Sequence, residues 1–175
     1  WVDGTTYYDV GVTAGQLKIR GNDAYRSYDR LGPQAAGQFS RLSFNVQRLQ
    51  HLSGPWSAHV KLAGQVASSN LESSLKMHLG GGTSVSGYPV GQASGDSGWE
   101  LHAELRRDIS MDGNGRLHGF VYAQHGEVRQ HHRTWAGWQA GNPGQSNTQS
   151  LSTVGIGLVH NIEGIWLIRG MLGHQ

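Results

Sequence analysis

The chain has 175 residues, enough for one domain, and combines 37% hydrophobic residues with 27 glycines and only 3 phenylalanines. Few large side chains are available for the core of a soluble protein, whereas a membrane β-barrel needs only alternate apolar residues in its strands. The formal net charge of +2 and the scattered basic residues do not favour nucleic-acid binding, and the absence of Cys excludes disulfides and thiolate metal sites.

Alternation of apolar and polar residues predicts strands in the first part of the chain. We expect strands at 5–14, 39–52 and 56–67, with a turn at 53–55. Residues 15–38 contain Gly, Asn, Pro and several charges, and we interpret them as an irregular connection. No apolar run is long enough for a membrane helix.

A strand, a long loop and a second strand are predicted in the centre of the chain. Residues 74–80 and 99–108 alternate, and a glycine-rich loop at 81–98 separates them. A loop of this length in a β-protein is usually functional or disordered. The polar face of the second strand is too polar for a packed core and carries Glu100, His102, Glu104 and Arg106.

The last part of the chain completes a prediction of about eight strands. We expect a tight turn at 111–115, strands at 116–125, 150–160 and 165–171, a second long loop at 126–149 and a turn at 161–164. If both long loops lie at one end of a barrel, the connection 15–38 falls at the end with the short turns, which is unusual. Either a strand is miscounted before residue 39, or this connection is an exception.

Several motifs in this chain resemble the haemolysin-activator and filamentous-haemagglutinin-transporter family of two-partner secretion. The central motifs are Leu-Gly-Gly-Gly at 79–82, Val-Ser-Gly-Tyr-Pro at 85–89, Ser-Gly-Asp-Ser-Gly-Trp at 94–99 and Glu-Leu-Arg at 104–106. Weaker matches occur upstream, at 13–15, 36–39, 48–50, 64–67 and 70–71. The resemblance therefore covers most of the chain.

The resemblance implies an all-β fold, an antiparallel transmembrane β-barrel in the outer membrane of a Gram-negative bacterium. Residues 1–175 would be the C-terminal half of a sixteen-stranded barrel, so the export signal and periplasmic domains of the family would lie outside this sequence. The implied function is secretion, with activation in some cases, of a large unfolded partner protein such as a haemolysin or adhesin. The implied partners are this exoprotein and outer-membrane lipid, without nucleic acid.

In this family the long loop folds into the barrel lumen, and the resemblance assigns its tip to Val85, Ser86, Gly87 and Tyr88. The family has Arg where Ser86 stands, and its partner Asp corresponds to Gln124. Because both charges are replaced, no buried charge is left unpaired, and the fold is compatible with the change. Polar positions that would line the lumen and bind the passing substrate are Arg41, Lys61, Glu100, His102, Glu104 and Arg106.

Other interpretations of single motifs are weaker, and we predict no catalytic, cofactor or metal site. Residues 95–98 match a serine-protease nucleophile stretch without its histidine motif, and 80–82 lack the Lys and Ser/Thr of a phosphate loop. His131 and His132, with His125, lack the spacing of metal ligands. Asp96, Glu100 and Glu104 resemble glycosidase carboxylates, but alternation towards a lumen explains the two glutamates.

The alternative to a membrane barrel is a soluble β-sheet binding module. Such a module would bind a ligand such as a carbohydrate and would use Trp135 and Trp138 as stacking residues.

Overall fold

A computed structural model describes residues 3–112, 115–162 and 166–174 of the chain. The long strands are β1 (Gly4–Leu17), β2 (Gly37–His51), β3 (Trp56–Ala67), β6 (Ser97–Asp112), β7 (Gly115–Arg129), β8 (Thr148–Ile162) and β9 (Trp166–His174). Two short strands, β4 (Met77–Leu79) and β5 (Ala93–Gly95), and the helix α1 (Asp23–Leu31) lie in the connections between them.

The long strands form one seven-stranded antiparallel sheet in the order β1-β2-β3-β6-β7-β8-β9. Each strand pairs with the next in this series, so the sheet is a meander. Within the described ranges β1 and β9 do not pair with each other. The predicted all-β, antiparallel barrel class is therefore confirmed, as an open part of a barrel wall.

The two faces of this sheet have opposite chemistry. On the outer face, large apolar side chains are between 38% and 58% exposed: Val60, Leu62, Leu101, Leu105, Val121, Ile156 and Leu158. On the inner face, polar side chains are at most 8% exposed: Gln65, Glu104, Gln124 and Thr153. A soluble protein hides apolar groups and exposes polar ones. The reverse arrangement suits a wall with lipid on one side and a polar lumen on the other.

The predicted strand at 74–80 is wrong as a strand of the wall. Only Met77–Leu79 is extended, and this segment pairs with Ala93–Gly95 in a separate two-stranded sheet. Leu79 is fully buried against Ala93 and Val128, so the small hairpin packs on the inner face of the sheet. The residues alternate here because one side of the hairpin packs on the sheet and the other side does not. Sequence periodicity cannot distinguish such a packed hairpin from a strand of the sheet itself.

The predicted irregular connection at 15–38 is also corrected. Strand β1 continues to Leu17, and α1 begins after Asn22, whose side chain accepts a hydrogen bond from the Ala24 N–H at 2.7 Å. Gly32 ends the helix. Gly, Asn and Asp in series predict a turn, but Asn is also a favoured N-cap and Gly a favoured helix end. No described helix is long and apolar enough to cross a membrane.

These two corrections resolve the position of the long connections. The connections at 18–36, 68–96 and 130–147 all lie at one end of the sheet, which we call the loop end. The turn at 52–55 lies at the other end, where β6 and β8 also end. The predicted tight turns at 111–115 and 161–164 fall partly on residues 113–114 and 163–165, which lie outside the described residues. The miscounted strand was therefore the one after residue 39, at 74–80, and 15–38 is no exception.

The predicted second loop is shorter than expected, because β7 extends to Arg129 and β8 begins at Thr148.

Glycine and aromatic residues face each other across neighbouring strands. Tyr122 pairs with Gly155 and Phe120 with Gly157 on the inner face. A Cβ atom at Gly155 would lie 2.7 Å from Tyr122 Cε1, and one at Gly157 would lie 2.7 Å from Phe120 Cε1. The rings therefore lie over the backbone of β8. A residue larger than glycine at position 155 or 157 would block this position of the ring.

Candidate functional site

Strand register brings the predicted lining residues together on the inner face. His102 of β6 pairs with Lys61 of β3 on one side and with Gln124 of β7 on the other. Gln124 in turn pairs with Thr153 of β8. Directly paired residues of a sheet point to the same face, so these side chains form one row across four strands although they are distant in sequence.

A second row lies next to the first, with His59 of β3 opposite Glu104 and Glu104 opposite Tyr122. Glu104 Oε1 is 2.5 Å from Arg106 Nε, and the other carboxylate oxygen is 3.2 Å from His102 Nε2. The Glu104 side chain is only 1% exposed. Pairing with a cation is what makes such burial of a carboxylate tolerable.

Glu100, in the first part of β6, also forms an ion pair. Its Oε1 atom is 2.8 Å from Lys61 Nζ, and its Oε2 atom accepts a short hydrogen bond from the hydroxyl of Ser84 in the loop. Lys61 Nζ also lies 3.5 Å from the carbonyl oxygen of Thr83. The wall and the loop therefore contact each other through charged groups at this point.

Arg41 is the one predicted lining residue that lies apart from this cluster. Its Nη1 atom donates to Gln65 Oε1 at 3.1 Å and to the Leu75 carbonyl at 2.9 Å. Arg41 pairs with Ala67 at the end of β3, so it holds the beginning of the connection that contains the loop. The other five lie together.

The loop predicted at 81–98 is shorter in the structure, because Ala93–Gly95 is a strand and β6 begins at Ser97. The irregular part runs from 80 to 92 and turns back on itself through a hydrogen bond of 3.0 Å from the Gly81 N–H to the Tyr88 carbonyl. Gly87 has a φ of 91°, in the left-handed region that favours glycine. We call residues 83–88 the tip.

At Ser86 and Tyr88 the tip is held on the wall by hydrogen bonds between neutral groups, in addition to the charged contacts at Thr83 and Ser84. The Ser86 N–H donates to Gln124 Oε1 at 2.8 Å, and the Thr153 hydroxyl donates to the Ser86 carbonyl at 2.5 Å. The Tyr88 hydroxyl donates to the Ser152 carbonyl at 3.1 Å. Val85 is 1% exposed. Ser86 is thus attached to Gln124 through its backbone, and its buried Oγ has no hydrogen-bond partner among the described residues.

Gln124 also connects the tip to the charged cluster, because its Nε2 atom lies 2.8 Å from His102 Nδ1. A continuous chain of contacts therefore runs from Ser86 through Gln124, His102 and Glu104 to Arg106. A half-open cavity of about 270 Å³ lies between the tip and this cluster. Sequence motifs identified Gln124, but not Thr153, because its position depends on the register between β7 and β8.

The other end of the connection, which we call the root (68–76 with Asp96), is held by a buried charge. Asp96 is fully buried and its carboxylate accepts from the backbone N–H groups of Leu71 at 3.0 Å and His132 at 2.7 Å. Lys76 Nζ lies 3.0 Å from the same carboxylate and donates to the Gln130 carbonyl at 2.7 Å. The stretch that resembles a protease nucleophile motif thus contains the residue that joins two connections at the loop end.

Asn70 adds a second link at the root. Its Nδ2 atom donates to the carbonyl oxygens of Pro33 at 2.5 Å and Arg133 at 2.8 Å, and its Oδ1 atom accepts from the Arg133 N–H at 2.8 Å. All three connections at the loop end therefore meet at this side chain. Glu72, within the root, has its pKa lowered to about 2 by hydrogen bonds from the Ser74 and Ser73 hydroxyls.

Trp135 and Trp138 are packed around a histidine in the described part of the loop after β7. Their rings meet the His131 ring edge-to-face, with centroids 4.7 Å and 5.7 Å away. Burial lowers the pKa of His131, with a further lowering from the nearby Lys76 charge and an opposing effect of Asp96. The two tryptophans are half-buried in this contact. This does not favour their use as a carbohydrate-stacking surface.

The chain is similar to curated transporter proteins from Haemophilus influenzae. The chain is 26% identical over 167 residues to the heme/hemopexin transporter protein HuxB of Haemophilus influenzae strain Rd, an alignment that covers 95% of this chain and 29% of that protein. HuxB of strain 86-028NP is also 26% identical, over 168 residues, with the same coverage. This chain therefore spans less than a third of the length of these curated relatives. No solved structure matches it.

The family comparison agrees with the motifs and with the inverted distribution of apolar and polar residues on the sheet. A family model described as haemolysin secretion/activation protein ShlB/FhaC/HecB matches residues 2–156. That range contains the central loop, the root and the charged cluster. Proteins of this family and the HuxB relatives are outer-membrane transporters of Gram-negative bacteria, which confirms the predicted location. This chain belongs to the ShlB/FhaC/HecB family of haemolysin secretion/activation proteins.

Proposed function

We propose that this chain forms the C-terminal part of the wall of an outer-membrane channel that secretes a partner protein by two-partner secretion. The observation that carries the proposal is a sheet with an apolar outer face and a charged inner face, on which Ser86 of the loop is held by neutral hydrogen bonds. A channel that opens only for its substrate needs an obstruction that can leave the lumen without breaking the wall.

The partner passes through the lumen as an unfolded chain in this proposal. The cluster of Lys61, Glu100, His102, Glu104 and Arg106 offers both signs of charge within one patch, so it can exchange contacts with acidic and basic side chains in turn. Arg41 lies nearer the root, so it would contact the passing partner protein at a different depth in the lumen. The protein acts by passage and carries out no covalent reaction.

The resting channel is closed by the tip. Within the tip, Val85 is buried, Gly87 allows the backbone to turn, and Tyr88 donates to the wall, so the tip leaves as a unit. Each neutral hydrogen bond contributes only about 1 kcal/mol net, so the contacts of Ser86 and Tyr88 can be replaced by contacts with the substrate.

The partner's identity is a separate part of the proposal. A haemolysin or an adhesin is the class that the family description supports. The curated relatives are named heme/hemopexin transporters, so an exoprotein that binds haem or hemopexin is a further class for this chain. A soluble binding module is not favoured, because the outer face exposes a continuous series of apolar side chains.

The experiment is to lock the tip to the wall in the complete protein. The chain has no Cys, so Ser86→Cys with Thr153→Cys introduces one thiol pair where the Ser86 carbonyl and the Thr153 hydroxyl are 2.5 Å apart. We expect the oxidised pair to stop export of a co-expressed exoprotein and a reductant to restore it. The two single variants are the controls. Full export through the cross-linked protein would contradict the proposal.

A further inference from the structure

A group of potential metal ligands lies on the inner face beside the tip. His59, His102 and Glu104 each place a ligand-type atom within 4.8 Å of the others. The pairing of β3 with β6 sets His59 opposite Glu104, and the two imidazole ring centroids are 5.7 Å apart. All three residues line the half-open cavity under the tip, so an ion can reach them from solvent.

Two imidazoles and one carboxylate are a donor set that suits Zn²⁺ and related first-row divalent ions. A site with three protein ligands leaves a fourth position for water, and the cavity provides room for it. Arg106 contacts Glu104 through Oε1, so Oε2 is the oxygen that faces the imidazoles. Sequence spacing did not reveal this group, because strand pairing alone brings His59 to it.

The hydrogen bonds of the docked tip determine where the proton of neutral His102 resides. The backbone N–H of Ser86 can only donate, so the Gln124 atom 2.8 Å away is the amide oxygen. The Gln124 amide nitrogen therefore faces His102 Nδ1, 2.8 Å away, and Nδ1 must accept. In neutral His102 the proton then lies on Nε2, directed at Glu104 Oε2 at 3.2 Å.

A metal ion at this group is incompatible with those hydrogen bonds. Coordination through His102 Nε2 moves the ring proton to Nδ1, where it meets the N–H groups of Gln124. Coordination through Nδ1 displaces Gln124 directly. In the first case Gln124 can satisfy the new Nδ1–H only by reversing its amide, and the amide nitrogen then faces the Ser86 N–H. In both cases the contact that holds Ser86 is lost.

We propose that His59, His102 and Glu104 form a binding site for a divalent transition-metal ion, with Zn²⁺ as the preferred ion, and that occupation of this site releases the tip. Thermodynamic linkage makes the effect reciprocal. If bound metal lowers the equilibrium constant for docking of the tip by some factor, a docked tip lowers the metal affinity by the same factor. Metal binding stands on the geometry alone. Its consequence for export rests on the proposed function.

One isosteric substitution separates this coupling from simple metal binding. Gln124→Glu supplies two acceptor oxygens in place of one oxygen and one nitrogen. One oxygen can accept from the Ser86 N–H and the other from His102 Nδ1–H, which directs His102 Nε2 at the metal. Carboxylates that orient a metal-bound imidazole in this way change metal affinity by about 10- to 100-fold. This variant should bind metal more tightly and keep the tip docked.

The test uses the complete protein, purified in detergent and stripped of metal. Zn²⁺ affinity is measured by competition with a chromophoric chelator, and docking by hydrogen exchange of the Ser86 amide. We expect one Zn²⁺ site in the wild type, and about tenfold faster exchange when it is filled. His59→Gln should weaken binding at least tenfold and remove the response. Gln124→Glu should bind at least tenfold more tightly without a response.

His78→Gln is the matched control, because His78 is an exposed histidine of β4 outside the group. Its affinity and response should equal those of the wild type. Equal binding by the wild type and His59→Gln would mean that Zn²⁺ sits on other histidines, and it would overturn the site. Equal responses of the wild type and Gln124→Glu would overturn the coupling. Export measured with a chelator present tests the proposed function separately, since it involves no metal.

Discussion

The two ends of the β3–β6 connection are held in different ways. At the root, the fully buried carboxylate of Asp96 receives two backbone N–H groups and the Lys76 ammonium. At the tip, Ser86 is attached by two neutral hydrogen bonds, and its own hydroxyl has no hydrogen-bond partner among the described residues. One connection thus combines a fully buried ion pair at the root with neutral hydrogen bonds at Ser86, where the tip lies on the inner face.

This difference indicates which part would move in the proposed channel. The Asp96 carboxylate is fully buried, whereas the Lys61 side chain that contacts the tip is 28% exposed. Leaving a buried charge without its partner costs more free energy than leaving an exposed one, so the root would stay in place when the tip leaves. The small hairpin of β4 and β5 lies between them and packs Leu79 and Ala93 against Val128. The tip can therefore undock while the hairpin and the root remain on the sheet.

The largest effect is expected from Asp96→Asn. Breaking a buried ion pair by removing one charge costs about 3–5 kcal/mol. In addition, the NH₂ group of the introduced amide would face a backbone N–H that the carboxylate accepted from. Hydrogen exchange in residues 68–76 should accelerate at least about a hundredfold. Glu127→Gln, the same change at an exposed strand position, is the control. If both variants exchange alike, Asp96 does not hold the root.

The next effect concerns the family's charge pair. Ser86→Arg alone places an unpaired guanidinium at a buried position, which should release the tip and increase single-channel opening. Ser86→Arg with Gln124→Asp restores a charge-assisted pair and should reduce opening below the wild-type level. Conductance of the complete protein in planar bilayers measures both. Equal conductance of the single and double variants would show that the side chains at 86 and 124 do not meet.

Two substitutions with smaller effects should change the docking free energy of the tip in opposite directions. Thr153→Val removes the hydroxyl that donates to the Ser86 carbonyl, and we expect a loss of about 1 kcal/mol in docking of the tip. Ser86→Ala removes a buried hydroxyl without a described hydrogen-bond partner, and should leave docking unchanged or strengthen it by up to about 1 kcal/mol. Hydrogen exchange of the backbone amide at position 86 is the measurement in both variants. A loss in both variants would mean that the Ser86 hydroxyl has a role.

The smallest effect is expected from pH at the loop end. The pKa of His131 is lowered in the folded loop, chiefly by burial, so the unfolded loop binds a proton more readily. Stability of the loop is then complete above the ordinary histidine pKa of about 6.5 and decreases as the pH falls below it. Proteolysis within 130–147 should become faster between pH 7 and pH 5. His131→Phe should remove this dependence, and an unchanged profile would contradict the assignment.

Much of the wall could be predicted from sequence, because alternate residues face lipid and lumen in every long strand. Alternation fails where another structure also has two different sides, as in the hairpin that contains Met77–Leu79. The helix after Asn22 was missed because its capping residues are also turn residues. Predicting this helix requires the capping residue, the first-turn residue and the last-turn residue to be considered together, because none of them is sufficient alone.

The site was predicted only in part, for a physical reason. Sequence shows which face a strand residue occupies, but not which residue of the next strand lies beside it. Gln124 was found through a motif, whereas Thr153 and His59 take their positions from strand register. The role of Asp96 at the root was missed because its partners, Leu71 and His132, offer only backbone groups, which leave no pattern in the sequence.

In the proposed channel, the flat placement of Tyr122 over Gly155 and of Phe120 over Gly157 would affect the width of the passage. An aromatic ring that projected from the wall would narrow the bore by its own length, whereas a ring that lies along the neighbouring strand narrows it by little more than its thickness. Glycine in β8 thus keeps the wall thin beside the tip. Alanine at either position would turn the ring into the space that the proposed channel leaves for an exported chain.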